Sequence, residues 1–481
     1  MENGIMFQAF EWYLPNDGQY YNRLKDLAGS LKDAGFSAIW IPPCCKGTSS
    51  NDVGYGIYDL YDLGEFDQKA TVRTKYGTKD ELVQMIEAMH ASGLQVYADV
   101  VMNHKAGADR TETFMAVKVN PQDRKTELEE PKEIEGWTGF DFPGRNGQYS
   151  SFKWNFNHFN GVDYNQRDSE AGIFRILGEN KGWNLGVSYE YGNYDYLMHA
   201  DLDHAHPEVV EELITWAEWL IHTTDVDGFR LDALKHIDTA FINIFRQRLT
   251  EKFGKDFYMV GEYWVSDFQV KRTYLEKTGH KIDLFDVGLH FNFYEASIQG
   301  QAYDLRMIFN NSIVEQFPER AVTFVDNHDS QPGQSLQSWV EPWFKLHAYA
   351  LILLRIKGYP CVFFGDYFGT GGQKPFEGLK GQIDVLMRSR REAAYGDQVD
   401  YFVDPQRIGW VRLGTAEHPE KMAVILSKKE DGVIHMFVGK DQAEQNYGDW
   451  LGNVEDPVVI RKDGFGEFKV KSGKVSVWRR K

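Results

Sequence analysis

The sequence predicts an α/β fold: a (β/α)₈ barrel with an irregular, β-rich insertion after its third strand and a C-terminal antiparallel β-sandwich domain. Short β-rich runs alternate with longer amphipathic stretches, which is typical of parallel α/β folds. There are about eight such runs, the number of strands that closes a barrel of this kind. The alternation is interrupted between His104 and about Asp203, and it stops after about Tyr395.

The predicted barrel strands are rich in the β-branched and aromatic residues that favour strands. In chain order they cover Gly4–Phe10, Ser37–Pro43, Gln95–His104, Gly228–Ala233, Phe257–Trp264, Leu284–His290, Ala321–Asp329 and Tyr359–Asp366. Amphipathic helices are predicted between them, for example over Lys79–Gly93 and Pro207–Thr223. The second of these helices begins with proline in its first turn, a position that proline favours.

The two departures from the barrel pattern define the other domains. The interval after His104 is rich in Gly, Asn, Asp, Tyr and Trp, and no barrel unit fits it. After Tyr395, short alternating runs are separated by turn residues, which predicts a small all-β domain. We therefore expect the first part of the barrel over 1–103, an insertion domain over 104–205, the second part of the barrel over 206–395, and the β-sandwich over 396–481.

Polar residues follow several of the predicted strands, at the barrel face where active sites lie. Arg230 and Asp232 are two residues apart on the fourth strand, so their side chains share a face. A fixed positive charge beside a carboxylate favours its ionised form, which suits a nucleophile. A structural Arg–Asp pair is the alternative interpretation. Glu262 and Asp329 bring two more carboxyls to the same face, and such gathered like charges favour a catalytic site.

Glycoside hydrolysis needs a group of carboxyls of this kind. One carboxylate attacks the anomeric carbon, while a second, protonated carboxyl donates to the leaving oxygen and then activates water. Asp232 is the candidate nucleophile, and Glu262, beside Tyr263 and Trp264, is the candidate acid with a raised pKa. Asp329 would bind sugar hydroxyls and help to distort the ring. We expect His104 and His328 to donate hydrogen bonds to the same sugar.

The segments DVVMNH, GFRLDALKH, GEYW and FVDNHD resemble the four short motifs of the α-amylase family, glycoside hydrolase family 13. The resemblance runs over essentially the whole chain, and segments such as FEWYLPNDG and GNYDYLM resemble the liquefying and cytoplasmic bacterial members in particular. It implies an endo-acting, configuration-retaining hydrolase of α-1,4-glucosidic bonds in starch, glycogen and maltodextrins. It also implies Asp232 as nucleophile, Glu262 as acid/base and Asp329 as transition-state stabiliser.

The same resemblance implies a set of substrate-binding residues. Tyr55 would stack on the sugar next to the cleaved bond. The residues that would hold that sugar are His104, Arg230 and His328, and those that would line the leaving-group side are Lys235, His236 and Trp264.

Members of this family hold a calcium ion between the barrel and the insertion domain. The matching ligands are Asn103, Asp195, Asp201 and the carbonyl of His236, all of them oxygen donors of the kind that Ca²⁺ prefers. Turn chemistry is the alternative interpretation of the two aspartates. The secreted liquefying members carry a further calcium–sodium cluster, but the matching positions here are Asn160, Asn184 and Ala205, beside Asp203. We therefore predict one calcium ion and no metal cluster.

Composition restricts the possible partners. The net charge is −18, and this argues against nucleic acids and anionic membranes, since both bind basic patches. The best apolar run is short and interrupted by Arg355, so no transmembrane segment is predicted. The N-terminal segment lacks the basic and apolar regions of a signal peptide, which favours a cytoplasmic protein, with a processed secreted form as the alternative. We expect a monomer whose partner is an α-glucan.

Two other functions fit parts of the sequence. A transglycosylase or an exo-acting hydrolase of maltooligosaccharides would use the same barrel and the same nucleophile. A catalytically inactive carbohydrate-binding barrel would use the fold alone, and loss of one of the three carboxyls would have indicated it. Asp232, Glu262 and Asp329 are all present.

Overall fold

A computed structural model describes residues 3–254 and 257–481 of the chain. Eight parallel strands close a barrel in which each strand pairs with its neighbours in the chain, and the first pairs with the last, so the predicted fold class is confirmed. In order, the barrel strands are Met6–Gln8, Ala38–Ile41, Gln95–Val100, Gly228–Leu231, Tyr258–Gly261, Asp283–Phe285, Ala321–Phe324 and Tyr359–Phe363. Most of their residues are buried, because the barrel interior lies on one side of each strand and helices cover the other.

Helices α1 to α10 run over Tyr20–Ala34, Lys79–Ala91, Pro207–Thr224, Thr239–Phe253, Phe268–Lys277, Val287–Gln299, Ile313–Gln316, Pro342–Leu353, Phe364–Tyr367 and Lys380–Ala393. Both helices predicted by name are present. In α2 a capping box fixes the start: the Thr78 side chain accepts from the backbone N–H of Glu81, and the Glu81 carboxylate accepts from the N–H of Thr78. In α3 Pro207 occupies the first turn, as predicted.

The run Leu284–His290, predicted as one strand, is wrong in its second half. The sixth barrel strand ends at Phe285, and α6 begins at Val287. Asp286 separates them, because its carboxylate accepts from the N–H of Leu289 at 3.2 Å and from the N–H of Val314 at 2.8 Å. A short apolar run does not distinguish a strand from a buried helix by its periodicity. The eighth run also divides, into a strand that ends at Phe363 and the short helix α9.

The insertion after the third barrel strand is a seven-stranded antiparallel sheet, so the expected β-rich character is confirmed. Its strands are His104–Lys105, Arg110–Asn120, Asp123–Glu127, Lys132–Gly139, Phe159–Asn165, Glu170–Ile176 and Ala200–Leu202. The first of them follows the third barrel strand by a few residues and pairs with the last, through Asp201 and His104. This pairing brings both ends of the insertion to the carboxyl end of the barrel.

The C-terminal part of the chain is an antiparallel β domain. Its six-stranded sheet contains Gln398–Asp404, Arg407–Arg412, Met422–Ser427, Val475–Arg480, Asn446–Asp449 and Val458–Val459, in that spatial order. A two-stranded ribbon of Gly432–Phe437 and Phe465–Val470 packs against the sheet, and the two enclose a separate apolar core. None of the helices in the described ranges combines the length and the apolar character needed to cross a membrane.

Candidate active site

The polar residues predicted at the strand ends meet at the carboxyl face of the barrel. Arg230, on the fourth strand, lies in register with Asp99 on the third strand and with Val260 on the fifth. Asp232 follows the fourth strand directly, and Glu262 follows the fifth. Asp329 comes five residues after the end of the seventh strand, in a turn that also carries His328. We call Asp99, Asp232, Glu262 and Asp329, with Arg230, the catalytic cluster.

The guanidinium of Arg230 is the centre of this cluster and is fully buried. Its Nη1 donates to Asp232 Oδ1 and, at 2.9 Å, to Asp99 Oδ1. Its Nη2 donates to Glu262 Oε2 at 2.9 Å. The carboxyls of Asp232 and Glu262 therefore lie across one guanidinium from each other, which is compatible with the carboxyl separation of about 5 Å in retaining glycosidases.

The arginine is shared among three carboxyls, which changes the expectation for Asp232. We expected Arg230 to keep the pKa of Asp232 low. Instead, burial raises the pKa of Asp232 above its ordinary value, and Arg230 offsets only part of that effect. Burial also raises the pKa of Asp99, to about 7. One cation cannot balance several buried carboxylates, so at least one carboxyl of the cluster tends to stay protonated. Because the carboxyls interact strongly, the pKa values observed belong to the group and not to one residue.

Glu262 has the surroundings of a general acid. It is 7 % exposed, and its Oε2 also accepts from the backbone N–H of Ala233 at 3.1 Å. Burial raises the pKa of Glu262, Arg230 lowers it, and the negative charge of Asp232 raises it again. The direction agrees with the expectation from the sequence, since an acid that donates near neutral pH needs a raised pKa.

Asp329 lines the site, and the fully buried ring of His328 lies beside it. His328 Nε2 lies 3.3 Å from Asp329 Oδ2. Burial and the charge of Glu262 raise the pKa of Asp329 well above its ordinary value. Tyr55 stacks on the His328 ring, with centroids 5.1 Å apart and planes 5° from parallel, and its hydroxyl donates to Asp99 at 2.8 Å. Tyr55 is thus held between the cluster and the open cleft.

His104 also lines the site, but its ring already forms a hydrogen bond within the protein. Its Nε2 lies 2.8 Å from the carbonyl oxygen of Tyr55, and burial lowers the pKa of His104 to about 4. The imidazole is therefore neutral and carries one proton. For a sugar hydroxyl to accept that proton, the bond to Tyr55 has to be exchanged.

The predicted leaving-group residues line the other side of a cleft of about 220 Å³. Lys235 donates to Glu190 at 3.2 Å and to the carbonyl of Trp264 at 3.4 Å. His236 Nδ1 lies 2.8 Å from the carbonyl of Tyr194, and burial lowers the pKa of His236 to about 3. The sequence analysis missed several residues that also line the cleft: Trp12, Tyr194, Leu197, Met198, Ser335 and Leu336. Only Trp12, just after the first strand, carries a signal that strand-end reasoning can detect.

Three of the four predicted calcium ligands, Asn103, Asp195 and Asp201, lie near one another where the barrel joins the insertion. We call Asn103, Asp195 and Asp201 the insertion cluster. All three residues are fully buried. Both carboxylate oxygens of Asp201 and the Oδ1 of Asn103 have no hydrogen-bond partner among the described residues. Burial raises the pKa of Asp195 to about 7 and that of Asp201 well above its ordinary value. Buried oxygens without donors are costly unless a cation binds them, so this donor set fits Ca²⁺.

The positions next to the insertion cluster are filled by protein donors. Asn160 and Asn184 donate their side-chain amides to Asp195, each at 3.0 Å. Lys181 donates to Asp203 at 2.9 Å, to the carbonyl of Phe159 at 3.1 Å and to the carbonyl of Asn157. Lys181 thus supplies a positive charge where Asp203 would otherwise be a lone carboxylate.

His158, His206 and Glu208 form another close group of possible metal ligands. However, Nδ1 of His158 accepts from the N–H of Asn155, and Nδ1 of His206 accepts from the N–H of Glu208. A neutral imidazole that accepts at Nδ1 carries its proton on Nε2, and a protonated nitrogen does not bind a metal ion. This group therefore suits hydrogen bonding, such as the 3.2 Å contact of His158 Nε2 with Glu208, better than metal binding.

Comparison with known proteins agrees with this geometry. The family model for the α-amylase catalytic domain matches residues 27–432. An α-amylase of Geobacillus stearothermophilus is 51 % identical over 477 residues, which covers 99 % of this chain and 87 % of that protein. A glucan 1,4-α-maltohexaosidase of Bacillus sp. strain 707 is 50 % identical, with 99 % and 92 % covered. The cytoplasmic α-amylase of Escherichia coli K12 is 41 % identical, with 99 % of each chain covered.

Among solved structures, the α-amylase of Geobacillus thermoleovorans complexed with acarbose has a TM-score of 0.66 to this chain, with 20 % identity and 99 % and 98 % of the two chains covered. The cyclomaltodextrin glucanotransferase CldA has a TM-score of 0.66 at 18 % identity, with 100 % and 99 % covered. At these identities the likeness concerns the fold alone.

Proposed function

This chain belongs to the α-amylase family of glycoside hydrolases, and from that premise we propose that it cleaves α-1,4-glucosidic bonds within starch, glycogen and maltodextrins. The cleavage is endo-acting and retains the anomeric configuration. One observation carries the proposal: the carboxyls of Asp232 and Glu262, which follow different strands, bind the two terminal nitrogens of one guanidinium, that of Arg230. This spacing suits attack and protonation at one glycosidic bond.

In the proposed mechanism, Asp232 attacks the anomeric carbon and Glu262 donates its proton to the leaving oxygen. The bond to the leaving sugar breaks, and a covalent glycosyl ester forms on Asp232. Glu262, now ionised, takes a proton from water, which attacks the same carbon and releases Asp232. The raised pKa of Glu262 favours the protonated form that the first step needs.

The remaining residues of the cleft position the substrate. Asp329 accepts from hydroxyls of the sugar at the cleaved bond, and Tyr55 packs against its ring. His104, Arg230 and His328 hold the same sugar or the carboxyls around it. On the leaving-group side, Lys235, His236 and Trp264 form the wall against which the departing sugar packs.

We propose that one calcium ion binds Asn103, Asp195, Asp201 and the carbonyl of His236. In the part of the chain that the structure describes, the side-chain oxygens of Asn103 and Asp201 have no hydrogen-bond partner, which supports this assignment. When bound, the ion supplies charge neutralisation to a buried acidic group. Through His236, whose ring lines the cleft, it would also fix the insertion against the barrel.

We infer that the enzyme works as a monomer on soluble α-glucans in the cytoplasm. The 41 % identical relative from E. coli is named a cytoplasmic α-amylase, which supports the location. The net charge of −18 is repelled by nucleic acids and anionic membranes, so neutral polysaccharides are the expected partners.

The test is product analysis on soluble starch, glycogen and maltoheptaose. We expect an early ladder of short maltooligosaccharides from starch, released with the α configuration as observed by proton NMR. A single product length would favour an exo-acting hydrolase instead, and the maltohexaosidase relative makes that the second candidate. Branched or cyclic products would favour a transglycosylase. Products of β configuration would contradict the retaining mechanism, and binding without turnover would indicate an inactive carbohydrate-binding barrel.

A further inference from the structure

Gln8 is the last residue of the first barrel strand, and it contacts the site through His328. It is 1 % exposed, and its Nε2 lies 2.9 Å from Nδ1 of His328. We propose that Gln8 is a positioning residue, which holds His328 in the tautomer that carries its proton on Nε2. This inference deepens the hydrolytic function proposed above and rests on it.

The charge state of His328 makes its tautomer matter. Burial and the nearby Arg230 lower the pKa of His328 well below its ordinary value, so the ring is neutral and has one proton to place. An amide N–H directed at Nδ1 needs a lone pair there, which leaves Nε2 as the protonated nitrogen.

The other side of the ring agrees with this tautomer. Nε2 lies 3.3 Å from Asp329 Oδ2 and has no hydrogen-bond partner among the described residues, so the contact is electrostatic and favours an N–H facing the carboxyl oxygen. The reverse tautomer would set an N–H of the ring against an N–H of Gln8, which is repulsive, and a lone pair against the ionised form of Asp329.

The ring has little freedom to avoid these contacts by turning. Tyr55 stacks on it with planes 5° from parallel, Trp12 lies nearly parallel at 6.2 Å, and Phe10 packs at 4.9 Å. The position of the proton is therefore set by the groups at the two ring nitrogens, and Gln8 is the group at Nδ1.

The consequence for the reaction is a fixed N–H beside Asp329, the carboxyl that we propose binds the sugar. An N–H on Nε2, 3.3 Å from Asp329 Oδ2, favours the ionised form of that carboxyl and opposes the effect of burial on its pKa. Without Gln8, neutral His328 distributes its proton between two nitrogens, and part of the population presents a lone pair to Asp329.

The first test reads the tautomer directly, without an activity measurement. Full-length protein labelled with ¹⁵N-histidine is studied by long-range ¹H–¹⁵N NMR, and the spectrum of His328→Asn assigns the signals of His328. We expect an Nε2 of the protonated, pyrrole-like type and an Nδ1 of the unprotonated, pyridine-like type. A protonated Nδ1 in the wild-type protein would overturn the proposal, whatever the enzyme hydrolyses.

The second test asks whether Gln8 acts through His328. Gln8→Met keeps the length of the side chain and removes the donor. We expect kcat on maltoheptaose to fall about tenfold, the effect of one hydrogen bond, with KM unchanged. In a His328→Asn background, the same substitution should cost nothing further, since the pair is then already broken.

Equal losses in both backgrounds would overturn the proposal and leave Gln8 a packing residue. Gln331→Met is the matched control. Gln331 is also a buried glutamine near the site, but it forms its hydrogen bonds with the backbone N–H of Trp12 and the carboxylate of Glu11. Any loss that it causes should persist in the His328→Asn background. The proposed function is judged separately, from hydrolysis by the wild-type protein.

Discussion

The catalytic cluster and the insertion cluster are both buried groups of acidic residues, but their charges are balanced differently. In the catalytic cluster one guanidinium, that of Arg230, bonds to three carboxyls. In the insertion cluster the carboxylate oxygens of Asp201 have no hydrogen-bond partner among the residues that the structure describes. The catalytic cluster is therefore balanced by a side-chain cation, whereas the insertion cluster has oxygen ligands that a metal cation could bind.

The difference teaches how a buried acidic group relates to function. With fewer cations than carboxyls, the catalytic cluster keeps raised pKa values and one exchangeable proton, which acid/base chemistry needs. The insertion cluster offers bare oxygens at the junction of two domains, which suits a structural ion. Substitutions in the first cluster should therefore affect rate and pH dependence, and those in the second should affect stability and its dependence on calcium.

The largest expected effect follows Asp232→Asn. A neutral amide cannot attack the anomeric carbon, so kcat on maltoheptaose should fall by about 10⁴-fold or more, while maltoheptaose still binds. Reducing-sugar release measures the rate, and calorimetry measures the binding. Asp225→Asn is the matched control, since its side chain is 94 % exposed and lies seven residues earlier in the chain. Turnover by Asp232→Asn at more than a few per cent of wild type would remove Asp232 from the mechanism.

Arg230→Met removes the cation of the catalytic cluster and should lower the free energy of unfolding by about 3–5 kcal/mol, because it leaves buried carboxyls unpaired. It should also make the stability more dependent on pH. The pKa of Asp99 in the folded protein, about 7, already lies above its unfolded value, so stability falls as pH rises between about 4 and 7. Without Arg230 that fall should become steeper and extend to higher pH.

Urea unfolding between pH 5 and 8 measures both effects of Arg230→Met. Arg248→Met, at a half-exposed arginine that pairs with Glu211, is the control and should change stability little. If Arg230→Met unfolds at the same urea concentration as the wild-type protein at every pH, the guanidinium is not what balances this cluster.

The sequence predicts those parts of this contrast that follow from the fold, and it does not predict contacts between residues that are distant in the chain. The barrel and its convergent carboxyls were predictable, because strand ends of a parallel barrel meet at one face whatever the details of packing. The exact sharing of Arg230 was not, since Asp99 lies inside a strand and its contact with Arg230 depends on the register of two strands. Gln8 and Lys181 were missed for a similar reason: nothing near them in the chain indicates that they reach His328 and Asp203.

Removal of calcium tests the other half of the comparison. With free Ca²⁺ about 100-fold above its dissociation constant, binding to the folded state should contribute about 2.7 kcal/mol to stability, which a chelator abolishes. Thermal unfolding with and without the chelator measures it. Asp201→Asn should lose most of this response, whereas Asp163→Asn, at an exposed aspartate of the same sheet, should retain it. An unchanged melting temperature on chelation would contradict the assignment of the insertion cluster as a calcium site.

The smallest effect is expected at Lys181, which does for Asp203 what Arg230 does for the catalytic cluster. Lys181→Met leaves the Asp203 carboxylate and two backbone carbonyls without their donor, so the free energy of unfolding should fall by about 1–3 kcal/mol. The vacated oxygens then resemble the insertion cluster, and part of the loss should be recovered by added Na⁺ or Ca²⁺ at constant ionic strength. Lys125→Met, at an exposed lysine in the sheet of the insertion, is the control. The two variants could instead have the same free energy of unfolding in every salt. That result would show that a bound metal ion does not replace the ammonium group of Lys181 beside Asp203.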